Sequence, residues 1–205
     1  MKKYVFLAIL TIFICSCGKG PIHVATTESE AVKRGYGDPK LQELYDQNET
    51  LLREIYLRFT KANVNIYKEG IGLSLLTDRQ NDKLHYIMVN IRPQEIVFDE
   101  SKSKPEQRFS QVLQAYVRKY VGYMKKEDID RPDIEGLAFG VYWPVRDYSQ
   151  CNTHGGFIEY IHVYMPTAEV YDLLDGRSTF EEAIGNSEVV TSLNLDKATS
   201  VKPVF

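Results

Sequence analysis

Apolar residues recur every three or four positions over residues 39–62, which is the period of a helix with one buried side. The stripe consists of Leu41, Leu44, Tyr45, Leu52, Ile55, Tyr56 and Phe59. Asp38 precedes Pro39, and this order favours a helix start because Asp is a good N-cap and Pro is tolerated at the first helical position. The pattern predicts a long amphipathic helix that begins at Pro39.

A second stripe with the same period lies between residues 109 and 124. Its members are Phe109, Val112, Leu113, Tyr116, Val117, Tyr120, Val121 and Met124. Ser103 and Glu106 have the spacing of a capping box, so the helix is expected to begin there. A stripe this broad must be buried against a sheet or another helix.

Shorter apolar runs between turn residues predict β-strands. They cover residues 71–77, 84–91, 137–143, 157–165 and 187–195. The first four form two hairpins, and segments 167–174 and 178–184 read as short helices. We therefore expect an α+β fold: an antiparallel sheet built from hairpins, with two long helices and short C-terminal helices packed mainly on one face.

The N-terminus carries a separate pattern, in which two lysines precede an apolar run over residues 4–14. A positive start, an apolar run too short to span a bilayer and a small residue before the cut are typical of a secretory signal peptide. Ile14, Ser16 and Cys17 resemble the lipobox of bacterial lipoproteins. The resemblance implies cleavage before Cys17 and attachment of lipid to its thiol.

The resemblance and the pattern of predicted elements together suggest a division of the chain. Residues 1–16 would be the signal peptide, 17–37 the lipidated cysteine with a flexible tether, 38–195 a single α+β domain and 196–205 a C-terminal tail. The resemblance implies a cell-envelope protein anchored by lipid to a bacterial membrane. In a cell with two membranes that is the outer one, because Gly18 rather than Asp follows the cysteine.

Charge narrows the classes of partner. Loss of Lys2 and Lys3 with the signal peptide leaves 23 basic and 28 acidic side chains, a formal charge of −5. Nucleic-acid binding needs clustered cations, so this balance argues against it. Once Cys17 is lipidated, Cys151 is the single thiol, so the domain has no intramolecular disulfide to rely on.

Three residues between the last two predicted hairpin strands could carry chemistry. Cys151 and His154 could form a nucleophile–base pair with Asp147 orienting the histidine, but the spacing is not diagnostic and an ordinary loop explains it as well. Cys151 and His154 alone are too few ligands for a tetrahedral zinc site, which would need His85 or His162 to lie close to them as well. We predict no metal site and no cofactor.

Two further motifs lack the residues that usually accompany them. Ser101 and Lys104 have the spacing of penicillin-recognising serine enzymes, yet the companion Lys-Thr-Gly and Ser-x-Asn motifs do not follow in the order of that family. Four carboxylates could bind calcium, but the glycine turn and terminal glutamate of a calcium loop are missing, so a solvated acidic loop is the better interpretation. They are Glu127, Asp128, Asp130 and Asp133.

The last predicted hairpin is the most suggestive segment. Its even positions place Tyr160, His162 and Tyr164 on one face with Tyr142 and Gly140. We expect a shallow aromatic surface around a depression above Gly140. The alternative is that the short C-terminal helices cover this face and the tyrosines belong to the core.

These observations favour a lipid-anchored envelope protein that binds a protein or glycan partner and catalyses nothing. The alternative is a membrane-tethered hydrolase that uses Cys151 and His154. The sequence leaves the identity of the partner open.

Overall fold

The computed structural model describes residues 24–77, 82–146, 157–192 and 198–200. The strands are β1 (Ile66–Thr77), β2 (Lys83–Ile91), β3 (Phe98–Asp99), β4 (Gly136–Arg146), β5 (Phe157–Pro166), β6 (Glu188–Ser192) and β7 (Ala198–Ser200). The helices are α1 (Glu28–Ala31), α2 (Pro39–Lys61), α3 (Pro105–Val112), α4 (Arg118–Val121), α5 (Lys126–Ile129), α6 (Thr167–Leu174) and α7 (Phe180–Gly185), with a π-helical segment, Leu113–Val117, joining α3 to α4. The predicted α+β class is confirmed.

The strands form a mixed sheet in the order β1-β2-β4-β5-β6-β7, with β3 also pairing with β4. Both predicted hairpins are present, as antiparallel pairs β1–β2 and β4–β5. The two hairpins meet through β2 and β4, which run parallel. The expectation of a purely antiparallel sheet was therefore wrong. Residues 92–135 form a crossover that contains α3 to α5 and returns the chain so that β4 runs in the direction of β2.

The helices pack on one face of the sheet, as predicted. Phe59 of α2 lies 6.4 Å from Phe139 of β4, and Phe109 of α3 lies 5.8 Å from Trp143, between ring centroids. The odd positions of the central strands are fully buried here, including Ile87, Val89, Ile91, Leu137, Phe139, Val141, Ile161 and Val163. Most of the hydrophobic core lies between this face and the helices.

Residues 24–37 belong to the folded domain, so the tether predicted over residues 17–37 was drawn too long. Val24 bridges to Tyr67, and Val32 bridges to Ile71. Ala31 and Val32 are 0% and 2% exposed. This segment covers part of the open edge of β1, whose backbone groups would otherwise be available for pairing with another chain. Residues 17–23 lie outside the described part of the chain.

The second long helix differs from its prediction at the start and in the middle. Pro105 is its first residue and Lys104 its N-cap, whose backbone N–H donates to the Gln107 side chain. The hydroxyl of Ser103 instead donates to the Asp99 carbonyl, so Ser103 is not the cap. The π-helical segment widens one turn, and Tyr116 becomes half-buried while Leu113 and Val117 stay in the core.

The predicted acidic loop is partly a short helix, α5. Its Asp128 is 2% exposed and forms a bidentate ion pair with Arg58 of α2, with 2.5 and 3.0 Å between nitrogen and oxygen atoms. Asp128 also accepts a hydrogen bond from the backbone of Lys125. This carboxylate therefore fastens α5 to α2 and is not part of a solvated loop.

At the C-terminal end, two boundaries move. The helix predicted over residues 178–184 begins at Phe180, and Thr179 is its N-cap, because the Thr179 hydroxyl accepts from Glu182 N–H while the Glu182 carboxylate accepts from Thr179 N–H. The predicted tail over residues 196–205 contains strand β7, which pairs with β6. Within the described part of the chain, no helix is both long and apolar enough to cross a membrane.

Candidate functional site

Six aromatic side chains form a continuous cluster on the sheet face opposite the helices, here called the aromatic face. They are Tyr67, Tyr86, Tyr142, Tyr160, His162 and Tyr164. Five of the six come from even positions of β2, β4 and β5, whose odd positions are in the core. Side-chain alternation along the strands therefore builds this face together with the core.

The rings contact one another in sequence. Between centroids, Tyr67 stacks on Tyr142 at 4.1 Å, and Tyr142 lies 5.5 Å from Tyr160. Tyr160 is 5.1 Å from His162, which is 6.3 Å from Tyr164. These separations are those of favourable stacked, tilted and edge-on aromatic pairs. The cluster is therefore largely pre-formed, and ordering its side chains on binding would cost little entropy.

The cluster still reaches solvent. Tyr67, Tyr142, Tyr160, His162 and Tyr164 are all half-buried. Tyr86 is 3% exposed and contacts Tyr164 edge-on, with 5.3 Å between the ring centroids. The hydroxyl oxygen of Tyr164 lies 3.3 Å from Ser74 Oγ, which links this end of the face to β1.

The centre of the face is a hydrogen bond between Tyr142 and His162, with 2.8 Å from the hydroxyl oxygen to Nε2. Burial among the tyrosine rings lowers the pKa of His162 to about 4. Burial, and then the neighbouring phenol of Tyr67, raises the pKa of Tyr142. At neutral pH the imidazole and the phenol are therefore both uncharged.

The depression expected above Gly140 is not there. A Cβ atom on Gly140 would collide with Asn90 Oδ1 and would lie 2.7 Å from His162 Cδ2, so these two side chains already fill the space. Asn90 is 6% exposed and pairs with Gly140 across β2 and β4. Gly140 is a site of close packing under the aromatic face, and that prediction was wrong.

One side of the face is bordered by the segment that precedes α2. Lys33 Cβ lies 3.1 Å from where a Cβ on Gly72 would be, and the Tyr36 hydroxyl lies closer still. The Tyr36 hydroxyl also accepts a hydrogen bond from Leu73 N–H at 2.8 Å. The border is thus fixed to the backbone of β1.

The C-terminal helices, considered as a possible cover for the tyrosines, contact the helix layer. Gln114 Nε2 donates to Glu181 of α7 at 3.0 Å, and Lys126 of α5 forms an ion pair with Asp175 directly after α6. Both contacts lie on the face of the sheet opposite the tyrosines. In the described residues, α6 and α7 therefore complete the core layer.

The catalytic candidates gain no structural support. Cys151, His154 and Asp147 lie outside the described residues, as does Cys17. Ser101 donates its hydroxyl to Asp99 at 2.7 Å and has no bond to Lys104, so these two residues form no nucleophile–base pair. Within the described residues, no three His, Cys, Asp or Glu side chains are placed to hold a metal ion.

A buried polar cluster between the sheet and the helix layer was missed by sequence reasoning. Arg108 and Glu159 are 2% and 0% exposed and form a bidentate ion pair, in which Arg108 Nε lies 2.7 Å from Glu159 Oε2. Trp143 Nε1 donates to the same oxygen at 3.0 Å, and Arg108 also donates to the Ser103 carbonyl. A glutamate at an odd, core-facing position of β5 was the available signal.

Tyr67, Tyr86 and Asn90 were also missing from the predicted site. Tyr67 precedes the predicted start of β1, and no functional role was predicted for Tyr86 or Asn90 on β2. Their proximity to Tyr142 and Tyr164 depends on the parallel β2–β4 pairing.

Comparison of the chain with protein-family models, curated proteins and solved structures finds no match.

Proposed function

We propose that this protein is a lipid-anchored component of the cell envelope whose domain binds a protein or glycan partner through the aromatic face. The observation that carries the proposal is the continuous set of half-buried rings on the sheet face that the helices leave uncovered. Tyrosine offers a large contact area and a hydroxyl at low entropic cost, which is why it is frequent at binding surfaces. The lipobox over residues 14–17 is the basis for the anchor.

Photo-crosslinking in intact cells tests this function. A photoreactive benzoylphenylalanine is placed at position 88 or 190, since Met88 and Val190 are half-buried on the aromatic face. The control position is 57, because Leu57 is 58% exposed on α2, in the helix layer. We expect adducts from positions 88 and 190 in excess of position 57.

Protease and glycosidase treatment of the adducts distinguishes the two kinds of partner. Adducts of equal yield from position 57, or none from either position on the aromatic face, would contradict the proposed function. The hydrolase alternative rests on the sequence spacing of Cys151 and His154 alone, because both residues lie outside the described part of the chain.

A further inference from the structure

We propose that the ligand of the aromatic face is an uncharged glycan strand close to the membrane. This inference rests on the proposed function and narrows it to one class of partner. Three observations carry it: the arrangement of the rings, the distribution of charge around them, and the short distance along the chain to the anchoring cysteine.

The rings of β5 form a row. Tyr160, His162 and Tyr164 are spaced two residues apart on one strand, so the row extends over roughly 13 Å at the rise of a β-strand. Each tyrosine in the row has a hydroxyl besides its ring. The C–H bonds of a sugar ring carry slight positive charge that suits the negative face of an aromatic ring, and sugar hydroxyls can bond to phenols. A strand of repeating sugars presents both groups at regular intervals.

The middle of the aromatic face carries no ionised side chain in the described residues. Tyr142 and His162 are neutral at neutral pH, and burial also raises the pKa of Tyr160. Charges lie at the margins: Arg92 acts electrostatically on Tyr67 at one end, and Glu188 pairs with Tyr164 across β5 and β6 at the other. An anionic polymer would need clustered cations here, whereas an uncharged polymer needs none.

The start of the described chain lies beside the aromatic face, and the short segment between it and Cys17 keeps this face near the membrane. Val24 bridges to Tyr67, which stacks on Tyr142, so the described chain begins beside the aromatic face. Val24 is the seventh residue after Cys17, and seven residue steps span at most about 25 Å when fully extended. With Cys17 in the bilayer, a strand bound along this face lies within that distance of the lipid surface at its Tyr67 end.

Affinity electrophoresis tests the inference with the full chain in detergent. The probes are two neutral polysaccharides, hydroxyethyl cellulose and glycol chitin, and one anionic polymer, heparin, each cast in a native gel. We expect retardation by at least one neutral polymer, little change of that retardation with added salt, and none by heparin. The Tyr160→Ala and Tyr164→Ala variants should raise the apparent dissociation constant at least tenfold.

Matched variants separate binding from folding. Tyr116→Ala removes a half-buried tyrosine from the helix layer and should leave retardation unchanged. Tyr160→Phe keeps the ring and should retain most of the affinity, whereas Val190→Lys keeps every ring, adds a charge next to His162 and should weaken binding. The last two variants test the inference even if the alanine variants unfold.

The outcomes are distinguishable from those of the proposed function. Retardation by neither neutral polymer, or by heparin alone, overturns the glycan inference. If positions 88 and 190 then crosslink to a protein, the proposed function stands with a protein partner. If they crosslink to nothing, both are wrong.

Discussion

Tyr142 of strand β4 and His162 of strand β5 are diagonal neighbours in the sheet, with 2.8 Å between the phenolic oxygen and Nε2. Because burial lowers the pKa of His162 to about 4, this contact joins two neutral groups at neutral pH. The uncharged state of the imidazole is therefore part of what the folded protein requires, and it makes stability depend on pH.

We expect the free energy of unfolding to fall as pH drops from about 6.5 to about 4. The pKa of His162 is about 4 in the folded protein, against the ordinary histidine value of 6.5 in the unfolded chain, so between these values the unfolded chain binds more protons. The loss approaches roughly 3 kcal/mol at the lower limit and vanishes above pH 6.5. Denaturant titrations at pH 7.0, 5.5 and 4.5 measure it.

The control for this pH effect is His162→Gln, which should remove the stepwise fall in the free energy of unfolding between pH 6.5 and 4. The carboxylate of Asp38 affects stability at lower pH. A hydrogen bond from the Lys83 side chain lowers its pKa, so the stability that this group contributes is lost only below about pH 3.8. An unchanged step in the glutamine variant would show that another group causes it.

Gly140→Ala should destabilise the protein by roughly 1–3 kcal/mol, because the added methyl group would collide with Asn90 and His162. Gly185→Ala is the matched control, since a Cβ there meets nothing within 4 Å, and it should change stability little. Thermal and denaturant unfolding compare the two. Equal stability of both variants would mean that the contact over Gly140 relaxes at no cost.

Leu113→Ala should cost roughly 2–5 kcal/mol through lost transfer energy and a cavity, since Leu113 is 1% exposed in the π-helical segment. Gln111→Ala on the exposed side of the same helix should stay within about 0.5 kcal/mol. Denaturant unfolding gives both values. A small effect of the leucine change would place this helix outside the core.

Glu159→Gln should destabilise the protein by about 3–5 kcal/mol, because it leaves the buried Arg108 guanidinium without a counter-charge. The double variant Arg108→Met with Glu159→Leu should recover most of this loss, since it leaves neither charge behind. Denaturant unfolding of the single and double variants forms the comparison. A double variant as unstable as the single one would show that the ion pair itself is indispensable.

Cys17→Ser should abolish lipid labelling and release the protein from membranes, because thioether attachment needs the thiol. Metabolic labelling with a fatty-acid analogue and fractionation after a high-salt wash measure the two effects. Cys151→Ser is the control and should retain label and attachment. A Cys17 variant that still sediments with membranes would contradict the anchor.

Local sequence pattern was sufficient for much of the fold. The period of three to four residues predicted α2 with its Asp38 cap, and short apolar runs between turn residues predicted the hairpin β4–β5. These features depend on neighbours a few residues apart, whose side chains a helix or strand places on one side whatever the rest of the chain does.

Alternation of side chains between the two faces of a strand placed Tyr160, His162 and Tyr164 on one face, because this alternation is a local property of the strand. It could not show what lies beside that face. The packing of Asn90 over Gly140 and the stacking of Tyr67 on Tyr142 require strands from distant parts of the chain to be adjacent. A hairpin considered alone therefore suggested an open depression where the full sheet has close contacts.

By itself, the sequence determined the α+β class, most element positions, the lipobox pattern and the inward and outward faces of the strands, since each depends on residues that are close together in sequence. Only the tertiary structure decided the parallel β2–β4 pairing, the attachment of residues 24–37 to β1, and the ion pairs Arg58–Asp128 and Arg108–Glu159. These join residues that are far apart in sequence, and burial of charge is stable only where the whole fold supplies the opposite charge.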